Sequence, residues 1–192
     1  MSALDARVRE HLRTELRALQ KRLSITTLMV THDQEEAMVM ADRIAVMNGG
    51  IIEQFASPNE LYRQPASPFI ADFVGEANWL PCERIDDHRA RIGAHELRVH
   101  SPLMNGTRRL FVRPEAVRVV PGRDAMSNTL LAEVLDGVFL GRSYRVALRL
   151  EGLSGVTLNA IVPPETGDAL LSPQAARHCR IELPSEALRG YA

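Results

Sequence analysis

An apolar run that ends on a histidine and passes at once into an acidic segment constrains this chain more than any other stretch. It reads Ile25-Thr-Thr-Leu-Met-Val-Thr-His-Asp-Gln-Glu-Glu-Ala37. Ile25 to Val30 has the β-branched, nearly continuous apolar character of a strand buried on both faces of a parallel sheet. Asp33, with Glu36 three residues on, has the spacing of a capping box that opens a helix. The stretch therefore predicts strand, turn and helix, with His32 at the carboxyl end of the strand. In open α/β sheets ligands bind at that edge. A histidine there has two readings: a structural hydrogen-bonding residue, or a titratable donor that reaches a phosphate or a polarised water.

The neighbouring segments extend the helical and strand pattern on both sides. From Asp5 to Leu23, Val8, Leu12, Leu16, Leu19 and Leu23 recur at helical spacing, which predicts an amphipathic helix. Ser2 or Asp5 could cap it by accepting from free amides. Arg7, Arg9, Arg13, Arg17 and Lys21, interspersed with Glu10 and Glu15, read as a solvated face. Beyond the histidine, a helix from about Gln34 to Ala41 is followed by an apolar strand, Arg43 to Met47. Asn48-Gly49-Gly50 then supplies the positive-φ residues of a tight hairpin into Ile51 to Phe55. Ser57-Pro58 and Ser67-Pro68 each combine an N-cap with a proline at the first helical position. Phe69, Ile70, Phe73 and Val74 give the second of these helices an apolar face, and Gly75 is placed to cap its end.

At Gly75 to Trp79 the character changes, dividing the chain into residues 1–75 and 76–192. Helical periodicity disappears and short β-rich runs alternate with turn residues, the pattern of a small barrel or sandwich. Strands are expected at Trp79 to Ile85, Arg89 to Ile92, Glu96 to His100, Arg108 to Arg113, Ala116 to Val120, Thr129 to Leu140, Ser143 to Leu150, Thr157 to Val162 and Cys179 to Leu183. Tyr144, Val146, Leu148 and Leu150 alternate with Ser143, Arg145, Ala147 and Arg149, so one face packs a core and the other is largely wet.

Composition removes several classes of function. A net charge of -1 with aromatics at 5% argues against nucleic acid, whose single-strand barrels need a basic groove with stacking rings. Arg108, Arg109, Arg113 and Arg142 leave a second possibility open, a free-standing module that binds a small oxyanion. No apolar run approaches the roughly 18–20 residues needed to span a bilayer, and no signal segment opens the chain, so a soluble chain is expected. Cys82 and Cys179 are too few and too separated for a disulfide framework or zinc site and read as ordinary cytosolic thiols. No G-x-x-x-x-G-K-[ST] loop is present to cradle phosphates.

Val30-Thr-His-Asp-Gln-Glu-Glu-Ala37 followed by Ala41-Asp-Arg-Ile-Ala-Val-Met47 closely resembles the switch-histidine region of ATP-binding-cassette (ABC) transport ATPases. The resemblance continues through Gly49 to Gln54, Leu61 to Pro65 and Phe69 to Gly75. Ser2-Ala3-Leu4-Asp5 resembles the D-loop of the same family. Phe111-Val-Arg-Pro-Glu115 and Val134 to Arg142 are similar to elements of the oligonucleotide-binding-like (TOBE) regulatory domain found in the maltose, sulfate, polyamine, iron and phosphonate importers.

This resemblance implies the α/β C-terminal portion of a P-loop NTPase domain followed by an all-β OB-like barrel. It implies that His32 is the catalytic switch residue, contacting the γ-phosphate and the attacking water of bound ATP with its Mg. Ser2 to Asp5 would face a second subunit, and Arg113, Pro114 and Glu115 would form the regulatory motif. The phosphate loop, signature sequence and general-base glutamate would precede Met1, leaving no cofactor-binding residue and no metal ligand here, and no activity in the chain alone. The implied partners are a second copy in a homodimer, membrane permease subunits and a periplasmic solute-binding protein, with the ATPase on the cytoplasmic face of the membrane. Which solute is carried is not written in these residues.

Overall fold

The computed structural model describes residues 6–120, 128–153 and 155–192. Ser2, Ala3, Leu4 and Asp5 lie outside the described residues. The chain divides into two compact units, Met1–Gly75 and Glu76–Ala192.

In the first unit the helical stripe forms as α1 (Ala6–Leu23), and α2 spans Gln34–Met40. The hairpin pairs β1 (Ile44–Asn48) with β2 (Ile51–Ala56) in antiparallel register. Gly49 and Gly50 take φ of +55° and +82° at its turn, a geometry closed to most L-residues. Two short helices follow, α3 (Pro58–Arg63) and α4 (Pro68–Phe73). Ser57 and Glu60 close a complete capping box on α3, and Ser67 accepts from the Ile70 amide on α4. The end of α4 departs from expectation: Val74 is the C-cap, in right-handed helical geometry, with its N–H donating to the Ile70 carbonyl. Gly75 is not among the left-handed glycines. Val46, Ala56, Leu61, Ile70 and Val74 form a small core.

The expected buried strand at Ile25 to Val30 is corrected by the structure. These residues are irregular, and Leu28 and Val30 are each 92% exposed. A strand exists only where a neighbour completes its ladder of backbone hydrogen bonds. Among the described residues β1 pairs with β2 alone, so nothing lies alongside Ile25 to Val30. The stripe of α1 is likewise open, with Leu12, Leu16 and Leu23 all exposed.

The second unit is built from antiparallel sheets around one core. Its strands are β3 (Asn78–Pro81), β4 (Glu83–Asp86), β5 (Arg89–Ile92), β6 (His95–Arg98), β7 (Arg109–Val112), β8 (Arg118–Val120), β9 (Thr129–Phe139), β10 (Tyr144–Leu150), β11 (Thr157–Val162), β12 (His178–Glu182) and β13 (Arg189–Tyr191). They form a five-stranded sheet in the order β11-β10-β9-β12-β8, and two three-stranded sheets, β13-β7-β3 and β4-β5-β6. The alternation along β10 is as expected, with Val146, Leu148 and Leu150 buried and Arg145 and Arg149 outside. Those residues share a core with Leu80, Leu110, Ile92, Leu97, Leu158 and Ile181, drawn from all three sheets.

Three features of this unit differ from the sequence expectation. The run Trp79 to Ile85 is two strands, because the chain changes partner at Cys82: β3 pairs with β7, β4 with β5. The short β13 was not foreseen, since Arg-Gly-Tyr carries no run of apolar residues and is recruited as a strand only by β7. No helix is expected after Thr157 to Val162, yet Pro163-Pro164 opens one, α5 (Pro164–Leu171), with Pro164 at its start. That helix lies directly on β10. A Cβ on Gly167 would overlap the Tyr144 ring and come within 2.8 Å of the Tyr144 Cβ, and the Tyr144 hydroxyl donates to Asp168 at 2.7 Å. Because the clash reaches the root of the tyrosine, the ring cannot swing clear. Gly167→Ala should therefore cost about 1–3 kcal/mol, the usual range for overpacking, read as a lower midpoint in denaturant unfolding of the second unit.

Candidate functional site

The turn around His32 is held by a short polar network. The Thr31 hydroxyl donates to the Glu36 carboxylate at 2.6 Å and accepts from the Asp33 amide at 3.0 Å. Asp33 is the N-cap of α2, accepting from the Glu36 amide at 3.0 Å. Arg13 of α1 donates to Asp33 at 2.7 Å and lies 4.0 Å from Glu36. One turn later along α1, Arg17 donates to both carboxylate oxygens of Asp42, just past the end of α2. Two consecutive turns of α1 thus grip α2 at its start and just beyond its end.

These contacts correct the reading of the α1 basic residues as a merely solvated face. Arg13 and Arg17 stand four apart, on one side of a helix. Their partners lie 20 and 25 residues away in sequence, so only the tertiary structure reveals the pairing.

His32 sits inside this network without joining it. It is exposed, and its imidazole makes no hydrogen bond to any described residue, whereas the residues on either side of it are both anchored. The structural hydrogen-bonding role open to a histidine at this place is therefore not exercised here. What remains is a ring on a pinned turn, free to donate outward.

The charges around it reinforce the pinning. The hydrogen bond from the Glu36 amide, with the Arg13 guanidinium beside it, holds the Asp33 carboxyl below the usual carboxylate range. Arg17 does the same to Asp42. Both aspartates remain anionic as cap and clamp through mildly acidic conditions.

In the second unit the Arg-Pro-Glu triplet has a structural placement. Arg113 is 5% exposed and donates to the Glu76 carbonyl at 2.8 Å, its guanidinium lying over the Phe111 ring. Pro114 is buried at the start of a single 3-10 turn, and Glu115 points to solvent. Of the other arginines raised as oxyanion donors, Arg109 reaches the Ala192 carbonyl and stacks on Trp79, and Arg142 lies in the exposed β9–β10 turn. Arg108 is exposed, and Arg109 and Arg113 each donate to a different backbone carbonyl and lie over a different ring. Among the described residues there is no cluster of three or more metal-ligating side chains and no helix long and apolar enough to cross a membrane.

Residues 110–189 match the TOBE domain family. Over its whole length the chain is 48% identical to a sulfate/thiosulfate import ATP-binding protein of Chromobacterium violaceum, covering 52% of that protein. It is 39% identical to an Fe(3+) ions import ATP-binding protein of Rhizobium meliloti, again over the whole chain and 51% of the relative. A spermidine/putrescine import ATP-binding protein of Rubrobacter xylanophilus matches 94% of the chain at 39% identity, also over 51% of its own length. The chain's homologues are ATP-binding subunits of ABC importers. It aligns with their C-terminal region and spans about half the length of the relatives it matches. The TOBE match falls entirely within the second unit.

Two measurements check this geometry. Because the Asp33 carboxyl is depressed, its cap is fully present above the ordinary carboxylate pKa of about 4 and is lost only as pH falls through its lower folded value. Protection of the Glu36 amide from hydrogen exchange should therefore persist below the ordinary carboxylate range and then fall, and Asp33→Ala should lower it throughout the range in which the cap is present, the two proteins converging at the acid end. In the TOBE domain, Arg113→Ala strips a buried carbonyl of its charged donor and should lower stability by about 1.5–3 kcal/mol, read by chemical denaturation.

Proposed function

We propose that this chain carries the C-terminal part of the ATP-binding subunit of an ABC importer, with residues 1–75 completing the ATPase domain and 76–192 forming the regulatory domain. The observation that carries the reading is the turn at Thr31 to Glu36: a pinned backbone that presents one unpartnered imidazole. A donor fixed in advance, at a place where negative charge develops during phosphoryl transfer, stabilises that charge with no reorganisation. His32 is the residue assigned that role.

The apolar surface of the first unit supports the same reading. Ile25, Leu28, Val30 and the leucines of the α1 stripe are each exposed, and this many exposed large apolar side chains in one small unit mark a surface that packs against something. The rest of an ATPase domain is the occupant this reading supplies, with Ile25 to Val30 then entering its sheet as a strand. The described residues around His32 do not by themselves fit a nucleotide: they include no glycine-rich cradle and no carboxylate cluster for magnesium. ATP with Mg belongs to the complete subunit, and the chain alone is assigned no turnover.

The subunit is assigned a homodimeric state, with Ser2 to Asp5 at the partner interface and the regulatory domains assisting dimerisation. Membrane permease subunits and a periplasmic solute-binding protein complete the importer, which places the subunit at the cytoplasmic face. The relatives' names speak of sulfate, iron and polyamines. That spread assigns no single solute to this chain.

The test is ATP turnover by this chain and by a form extended upstream through a phosphate loop and a catalytic-glutamate strand. The extended form should hydrolyse ATP, His32→Ala should lower its kcat by roughly a hundred-fold or more, and the short chain should be silent. Tight nucleotide binding by the short chain alone would overturn the reading.

A further inference from the structure

The start of α2 gathers negative charge that its own segment does not neutralise. Asp33, Glu35 and Glu36 stand almost side by side, and no lysine or arginine lies between Ser24 and Asp42. At seven residues, α2 is too short to persist on propensity and takes its stability from caps and tertiary contacts. The helix dipole favours acids in a first turn, but the Asp33 and Glu36 carboxylates also repel each other. Among the described residues, Arg13 of α1 is the cation within ion-pair distance of either.

Arg13 meets that charge on both sides of His32. Its Nη2 donates to Asp33 at 2.7 Å, and its Nε lies 4.0 Å from Glu36. Asp33 follows His32 directly. Thr31 precedes it and donates its hydroxyl to Glu36 at 2.6 Å. Both neighbours of the histidine therefore refer back to one guanidinium, Asp33 directly and Thr31 through Glu36. The Asp33 amide on Thr31 and the Glu36 amide on Asp33 are local contacts. They shape the turn but do not fix it against a second element.

Arg17 is the natural comparison. It stands one turn further along α1 and grips Asp42, beyond the far end of α2, whose side chain is 81% exposed. The side chains of Asp33 and Glu36 are 39% and 31% exposed, so solvent screens the Arg13 contacts less. Both arginines hold α1 to α2, but Arg13 holds the end next to His32.

We propose that Arg13 is a positioning residue for His32: its guanidinium spans Asp33 and Glu36 and fixes the capped turn, with the histidine backbone, against α1. The proposal rests on the phosphoryl-transfer role proposed for His32. A planar guanidinium presents Nη2 to one carboxylate and Nε to another in fixed geometry, which a lysine ammonium does not. Exposed ion pairs add little to stability, whereas a misplacement of about 1 Å at a reacting group can cost roughly a hundred-fold in rate. Loss of Arg13 is therefore felt in turnover far more than in folding.

The test uses the subunit in its extended form, with kcat, KM for ATP and the midpoint of denaturant unfolding measured for each variant. Arg13→Gln should lower kcat about ten-fold or more. Its KM for ATP should stay within about two-fold of the parent, as for a contact that matters in the transition state. Arg17→Gln should move the unfolding midpoint as much, yet keep kcat within about two-fold. Arg13→Lys restores the charge without the fork and should lie in between, at about a three-fold loss; it carries the comparison if Arg13→Gln does not fold. In a His32→Ala background, Arg13→Gln should lower kcat no further, because it acts through the histidine. Parent-like kcat in Arg13→Gln, equal losses in Arg13→Gln and Arg17→Gln, or an additive loss in the double variant would each overturn the proposal and leave the role of His32 standing. Parent-like kcat in His32→Ala would instead overturn that role, and the proposal with it.

Discussion

The second unit closes on itself through two asparagine side chains. Asn128 is buried, takes a φ of +65° and directs its amide at three backbone groups. Its Oδ1 accepts from the Arg98 amide at 2.6 Å, and its Nδ2 donates to the carbonyls of Arg98 and Leu183 at 2.7 and 2.9 Å. The end of β6 thus meets the start of β9 and the residue after β12 at one point, where β9 and β12 are paired with each other but no strand ladder joins β6 to either. Asn78 does the same at the other side, exchanging two 2.8 Å hydrogen bonds with the backbone of Asn159 in β11. Each buried backbone group left without such a partner would cost about 1–3 kcal/mol. Separate antiparallel sheets therefore share one core because side-chain amides, which copy the peptide's own donor and acceptor, seal the seams.

The first unit is held differently. Its core is five buried side chains, and what orders α1 against α2 is a pair of arginine–carboxylate contacts. Exposed ion pairs contribute little to stability, but they are directional, and two of them one helical turn apart set both the position and the rotation of a helix. The apolar residues that would ordinarily do this work, Leu12, Leu16 and Leu19, are turned outward instead. That division, polar contacts inward to α2 and apolar contacts outward, is the pattern of an element that belongs to two neighbours at once.

Local rules carried most of what could be read without the structure. The Ser57–Glu60 capping box, the prolines at the starts of α3 and α4, the glycine hairpin between β1 and β2 and the alternation along β10 each depend on residues within a few positions of one another. The match to the TOBE family over 110–189 falls within the region read as β-rich. What could not be read was non-local. Ile25 to Val30 has strand composition, yet a strand is a relation between two segments, and no described segment pairs with this one. Helix α5 hides behind a double proline and a central glycine, and it is stabilised by a close fit to Tyr144 that no periodicity records. Asn78 and Asn128 carry no sequence signal of their role, and Arg113 reads as a candidate ligand, because nothing in a sequence tells whether a polar side chain ends in solvent or against a buried carbonyl.

The same distinction explains why His32 can be placed although no described strand pairs with the segment before it. Its position depends on Thr31, Asp33 and Glu36, which follow one another along the chain, and on Arg13, one contact away. None of these requires the strand before it to be paired. The backbone placement of His32 is therefore built into a self-contained capped turn, and a change in what the ring faces would leave that placement as it is. The role proposed for His32 would need that separation: the backbone must stay fixed while the group opposite it comes and goes, and a helix cap reinforced by a guanidinium from a second helix supplies such a fixed backbone with contacts made entirely inside this chain.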